Sequence, residues 1–197
     1  MREGIPVERG YKSQIMAISF KDNPDAARGK DATLILLEEA GKFSNLEDSY
    51  NATKPTVEDG IYTTGQILVF GTGGKDNDDW ADFAKMHGNP EAYNALAFQN
   101  QWDEGCENQL CGYFVPDFQN KVGFIDKDGN SDKVGAKNNE LDRRMKLAAV
   151  STDKSAITQH TIEYPFTPRE ATALISGNIF GAAIADLKAH KGFLESS

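Results

Sequence analysis

The chain has 197 residues, of which 39% are apolar and 26% charged, with 18 glycines and 7 prolines; this near-average usage excludes a collagenous, low-complexity or wholly disordered polypeptide. Its longest apolar runs, such as Leu34 to Leu37 and Ile67 to Phe70, are four residues, where a membrane-spanning helix needs ~20, and the opening MREGIPVERG has no apolar core to act as a secretory signal. The net charge of −9 is concentrated between Lys75 and Asp132, with twelve acids against four bases there and eighteen against seventeen elsewhere. So acidic a middle argues against broad phosphate-backbone binding by the chain alone.

Gln14-Ile15-Met16-Ala17-Ile18-Ser19-Phe20 reads as a strand, and the polar loop from Lys21 to Asp31 leads to a second, Ala32 to Leu37. That second run is apolar on both faces, as a central parallel strand is. Ser44-Asn45-Leu46-Glu47 is a capping box, so the spacing predicts a helix from Asn45 that ends before Pro55. Gly65 to Phe70 is a third strand, running into Gly71-Thr72-Gly73-Gly74. Asp78 caps a helix with Trp80, Phe83, Ala84 and His87 on one side, stopped at Gly88-Asn89-Pro90. Strand, helix, strand, helix in this order predicts an α/β layer with a parallel sheet.

Past residue 90 the pattern predicts strands over Ala92 to Phe98 and Gly112 to Val115, and a strand and turn from Val122 to Asn130. A helix follows from Ser131 to Val150, with Val134, Leu141, Met145 and Ala148 spaced for one buried stripe. Thr167-Pro168-Arg169-Glu170 combines an N-cap, a first-turn proline and a capping glutamate, which starts a short helix. A further helix is expected near Ala182 to His190.

The chemistry is concentrated early. Leu34 to Leu37 delivers Glu38 and Glu39 at the C-terminal end of a buried strand, the edge at which open α/β sheets bind ligands. P-loop NTPases use such a layout: one acid holds Mg²⁺ and the next orients the attacking water. A core strand leaving into a solvated acidic turn has the same sequence, so context decides. About 30 residues on, the strand ending in Gly71-Thr72-Gly73-Gly74 follows, and Arg28-Gly29 stands on the loop before the acid strand.

Taken together, ISFKDNPDAARGKDATLILLEEAGKF, ILVFGTGG, YFVPDFQN and EYPFTPREA resemble the large terminase subunits of tailed bacteriophages, over roughly residues 10 to 180. The resemblance implies a partial P-loop NTPase-type parallel sheet flanked by helices. Residues 1–127 would hold the ATPase core and 128–197 a helical C-terminal part. It implies a fragment of the ATP-driven motor that packages viral DNA into the procapsid, using ATP and Mg²⁺. By the same resemblance Glu38 is the Mg²⁺-side acid, where most members have Asp, and Glu39 the catalytic glutamate. Gly71, Thr72 and Gly73 form the motif that senses nucleotide and couples hydrolysis to movement. Arg28 matches a position from which some members offer an arginine finger to the next subunit. The implied partners are the portal protein, the small terminase subunit and double-stranded DNA, in a ring of like subunits. The implied place is the cytoplasm of an infected bacterium, transiently at the procapsid portal, with no membrane.

Two departures stand against a complete motor. No Gly-x-x-x-x-Gly-Lys-[Ser/Thr] occurs, since Gly29-Lys30, Gly41-Lys42 and Gly74-Lys75 are each followed by Asp or Phe. The nuclease domain of full-length members is also missing, so the chain reads as a middle portion. A non-catalytic remnant that binds a partner, or a fragment of another P-loop motor such as a helicase, are the alternatives. Other candidate sites are poorer. Asp126 to Asp132 mimics the start of a calcium loop, but position six is Ser131 rather than Gly and position twelve Lys137 rather than Glu. Cys106, Cys111 and His87 lack zinc-site spacing. Two cysteines are also too few for a disulfide scaffold, so a reduced, intracellular chain is expected. His87, His160 and His190 have no partnering serine or cysteine motif.

Overall fold

The computed structural model describes residues 10–11, 13–20, 23–43, 45–72, 78–151 and 154–172. Its centre is a pair of parallel strands, β1 (Leu34–Leu37) and β4 (Gln66–Val69), in register Leu34 to Gln66 through Leu37 to Val69. Alternation along each strand turns Leu37, Ile35, Ile67 and Val69 to the core formed with Leu46, Tyr50, Met86 and Tyr93. The opposite face carries Leu34, Leu36, Leu68 and Phe70, all exposed, with Leu34 at 53% and Leu36 at 55%. The apolar run of β1 is therefore covered on one face only among the described residues, which is less than its composition suggests.

The chain between the two strands forms helix α1 (Leu46–Thr53) and the small antiparallel hairpin β2 (Glu58–Asp59) and β3 (Tyr62–Thr63). Asn45 stands at the N-cap of α1 without a side-chain cap bond. The cap comes instead from helix α2 (Asp78–Gly88), whose Asp82 Oδ2 accepts from Glu47 N–H (3.1 Å). Glu47, expected to close a capping box, instead accepts from Lys85 Nζ (2.6 Å) and the Tyr93 hydroxyl (2.9 Å). Tyr50 in turn donates to Tyr93 O (2.6 Å). Those hydrogen bonds fasten α1 to α2 and to the 3₁₀ turn Pro90–Tyr93 after it, and the one from Lys85 first, then that from Tyr93, holds the Glu47 carboxyl below its ordinary range.

Several predicted strands differ. No strand forms over 14–20: residues 13–19 are exposed and only Phe20 is buried, against Phe43 (ring centroids 5.9 Å). A strand needs a neighbour's N–H and C=O groups, and β1 pairs only with β4 among the described residues. Pro90–Tyr93 is a 3₁₀ turn closed by left-handed Asn94 (φ 53°), which leaves only β5 (Phe98–Gln99) of the expected Ala92–Phe98 strand. Its antiparallel partner β6 is Leu110–Cys111, upstream of the expected Gly112–Val115, because Gly112 N–H is given to His87 O (2.7 Å) rather than to a ladder. Between Val122 and Ser131 the pairing is a single bridge, Ile125 to Ser131.

The C-terminal elements are helices α3 (Lys133–Val150), α4 (Lys154–Glu163) and α5 (Pro168–Ala171). Asp132 caps α3 by accepting from Gly135 N–H (2.9 Å), and Thr167 caps α5 by accepting from Glu170 N–H (3.3 Å). The buried stripe of α3 is Ala136, Glu140, Leu141 and Arg144, whereas Val134 is exposed. Helix α4 has no apolar stripe to announce it; Thr158, Thr161 and Ile162 are its buried residues. The helix expected near Ala182 to His190 lies outside the described residues. No helix among the described residues is long and apolar enough to cross a membrane.

His87, near the end of α2, packs against Gly112: a Cβ added there would lie 2.8 Å from His87 Cδ2. Burial lowers the His87 pKa from its ordinary value, and the carboxylate of Asp103 opposes that shift. The unfolded chain therefore takes up the proton first as pH falls through ~6.5, so stability is full above that value and declines below it. Urea unfolding of wild type and His87→Gln at pH 7.5 and 5.5 should show a smaller loss in the variant. An equal loss in both would remove His87 as the cause.

Candidate functional site

Because β1 and β4 run parallel, they end at the same edge, where Glu38-Glu39 leave one strand and Phe70-Gly71-Thr72 leave the other. The two exits are bonded to each other: Ala40 N–H donates to Phe70 O and Phe70 N–H to Leu37 O, each at 3.0 Å. Gly71 has no room for a side chain, since a Cβ would stand 2.9 Å from Ala40 N. At Gly41 a Cβ would fall 2.0 Å from the Trp80 ring and 3.3 Å from Thr72 O. Two glycines thus let the acid turn, the Gly-Thr exit and α2 close on one another. Trp80 is only 2% exposed, and its indole N–H has no hydrogen-bond partner among the described residues.

Glu39 adopts a left-handed backbone (φ 53°, ψ 42°) ahead of a 3₁₀ turn, Ala40–Lys42. For a residue with a β-carbon this costs ~1–2 kcal/mol, and such positions persist only where the surroundings impose them. Here Ala40 is fully buried and tied to Phe70, which fixes the turn. Strand alternation would send the two carboxylates to different sides, but β1 ends at Leu37; any divergence beyond it is set by the kink at Glu39. Both acids are exposed, and Lys42 Nζ donates to Glu39 Oε1 (3.0 Å). An exposed pair of this kind contributes little to stability, so Glu39 is open to exchange partners.

Glu38, Glu39, Gly71 and Thr72 are thus brought to one edge. Gly73 lies outside the described residues. Arg28 sits in the loop that precedes β1, largely exposed and paired with Asp25 (3.0 Å). It comes before the N-terminal end of the strand whose C-terminal end carries the acids.

The calcium-like loop is a tight turn in which Asp126 is fully engaged. Its carboxylate accepts from Asp128 N–H (2.9 Å), Asn130 N–H (2.8 Å) and Asn130 Nδ2 (2.9 Å), and the hydrogen bonds from Asn130 hold its pKa low. Cys106 and Cys111 are buried free thiols, and the Arg169 guanidinium stands 3.2 Å from Cys106 Sγ. Among the described residues no three His, Cys, Asp or Glu side chains are grouped to hold a metal ion.

Sequence reasoning missed a buried charge cluster between α3, α4 and α5. Arg144 grips Glu170 with both terminal nitrogens (3.0 and 3.1 Å) and donates to Tyr164 O (2.5 Å). Glu140, wholly buried, meets His160 Nε2 (2.7 Å), Lys121 Nζ (3.4 Å) and Arg144 Nε (3.5 Å), while Lys121 also pairs with Asp117. The only sequence signal was the i, i+4 spacing of Glu140 and Arg144.

Compared with protein-family models, curated proteins and solved structures, the chain matches none.

Proposed function

We propose that the chain carries the acid-turn half of a nucleotide-hydrolysing site, in the manner of the ATPase core of a phage large terminase subunit. The carrying observation is the pairing of β1 with β4. It sets Glu38 and Glu39 beside Gly71 and Thr72 at one strand edge and locks the exits together through Ala40 and Gly41. The left-handed Glu39 supports the same reading, since imposed backbone strain clusters at sites that need a side chain aimed. The wider assignment, a DNA-packaging motor acting in a ring on a procapsid portal with a small terminase subunit, rests on the sequence resemblance.

In this reading Glu39 orients the attacking water and draws on its proton, and Glu38 holds Mg²⁺. An exposed carboxylate oxygen suits that ion, which commonly takes one or two carboxylates plus phosphate oxygens and waters. Bound Mg²⁺ supplies the charge that offsets the phosphates during transfer. Thr72, two residues beyond Phe70, whose backbone bonds the acid turn, reports the state of that turn to α2 through Gly41 and Trp80. Arg28, exposed on its loop, acts on the site of a neighbouring subunit.

The sequence contains no phosphate loop to cradle a triphosphate. The purified chain should therefore release no phosphate above background at millimolar MgATP. Turnover that Glu39→Gln abolishes would show that the chain cradles phosphate by other means and would contradict this division of labour. The same feature supports a second reading, a non-catalytic subunit that binds a partner.

A further inference from the structure

Aromatic rings in the C-terminal half are covered by the chain's own cations. Lys121 and Arg143 lie over Tyr164 (5.6 and 5.2 Å), Lys137 over Phe118 and Phe166 (5.9 and 5.3 Å), and Arg144 over Phe166 (3.9 Å). A second cluster is built differently. Tyr113 meets Phe98 (centroids 5.1 Å) and Trp102 (6.0 Å), and Trp102 meets Phe114 (5.8 Å). Among the described residues no cation lies over any of these four rings.

This cluster is also open. Tyr113 is 58% exposed, with Leu96 at 77% and Val115 at 54% in the flanking segments. From Gly88 to Asn120 the chain has no Lys, Arg or His, but it has five acids. Of these, Glu104 and Glu107 are exposed in the loop that follows Trp102. Arg169 is hydrogen-bonded into that loop, but its guanidinium is turned to Cys106 Sγ and its N–H to Asp103 Oδ1 (3.2 Å each).

We propose that this face docks a cationic, arginine- or lysine-bearing segment of a partner protein. Its cations would lie over Tyr113 and Trp102 and its remaining charge beside Glu104 and Glu107. The reasoning is one of complementarity. Aromatic faces attract cations, exposed apolar clusters rimmed by polar groups mark interaction surfaces, and here the acids are local while the cation is missing. Single-stranded nucleic acid also stacks on aromatic rings, but such sites set the rings in a basic groove, the opposite of this one. The inference is independent of the acid turn and of the hydrolysis reading.

The test is a titration of the purified chain, at low salt, with a short synthetic peptide alternating arginine and leucine, followed by calorimetry and Trp102 fluorescence. Saturable binding is expected, weakened about tenfold when citrulline replaces arginine and about tenfold in Tyr113→Ala. Glu104→Gln combined with Glu107→Gln should weaken it several-fold. Tyr62→Ala, which removes an exposed tyrosine on the β2/β3 hairpin, should leave it unchanged. If Tyr113→Ala fails to give the wild-type circular dichroism, the doubly substituted glutamate variant decides, because both positions are exposed. The proposal is overturned by no saturable binding, by equal affinity for the citrulline peptide, by equal affinity of the folded variants, or by preference for oligothymidylate over the peptide.

Discussion

Joined to a segment that supplies a phosphate loop, Glu39→Gln should bind MgATP almost as the parent does and release phosphate at least ~10²-fold more slowly. Amide and carboxylate are isosteric, so the left-handed turn and its contacts with Phe70 and Trp80 survive the change. On the proposed reading what disappears is a positioned base, whose loss costs ~10²–10⁴-fold. Glu38→Gln should behave differently, weakening Mg²⁺-dependent binding because it removes the negative charge that would face the metal in the proposed site. Steady-state phosphate release and nucleotide titration separate the two. Normal hydrolysis by Glu39→Gln alongside an inactive Glu38→Gln would exchange the two roles.

Glu140→Ala should cost ~3–5 kcal/mol, the usual consequence of removing one partner from a buried charge cluster. Glu140 is fully buried and Arg144 nearly so, and without the carboxylate Lys121 and His160 lose a shared acceptor and Arg144 an ion-pair partner. In a chain of this size that is a fall in melting temperature of roughly 6–20 °C. Glu140→Gln should lose less, since one amide oxygen can still accept from His160. Calorimetric unfolding checks both, and a loss under ~1 kcal/mol in Glu140→Ala would mean that water already serves these groups.

The elements legible in sequence were those whose ends carry local chemistry. The helix before Pro55, the one stopped at Gly88-Asn89-Pro90 and the one begun by Thr167-Pro168 are all present, within a residue or two. The parallel strands were legible from the runs LILL and QILV, and their shared edge followed from the parallel pairing. Context-dependent features were not. The run 14–20 has strand composition, but composition cannot supply a pairing neighbour. Gly112 reads as strand until its N–H is seen to be taken by His87. The capping role of Glu47 was lost to Lys85 and Tyr93, tens of residues away. At the candidate site, Glu38, Glu39, Gly71 and Thr72 were visible as types and spacing. The Glu39 kink and the Gly41–Trp80 contact depend on the packing of the β4 exit and α2 against the turn, which no local pattern encodes.

Whether the acids at the end of β1 face a metal–nucleotide is tested most directly by Mn²⁺ binding in the presence of ATP. Electron paramagnetic resonance would follow it in the joined protein and its two glutamine variants. Bound Mn²⁺ is expected in the parent and in Glu39→Gln alike, with affinity about tenfold lower in Glu38→Gln. Equal Mn²⁺ affinity in all three proteins would contradict the assignment of this turn as the site.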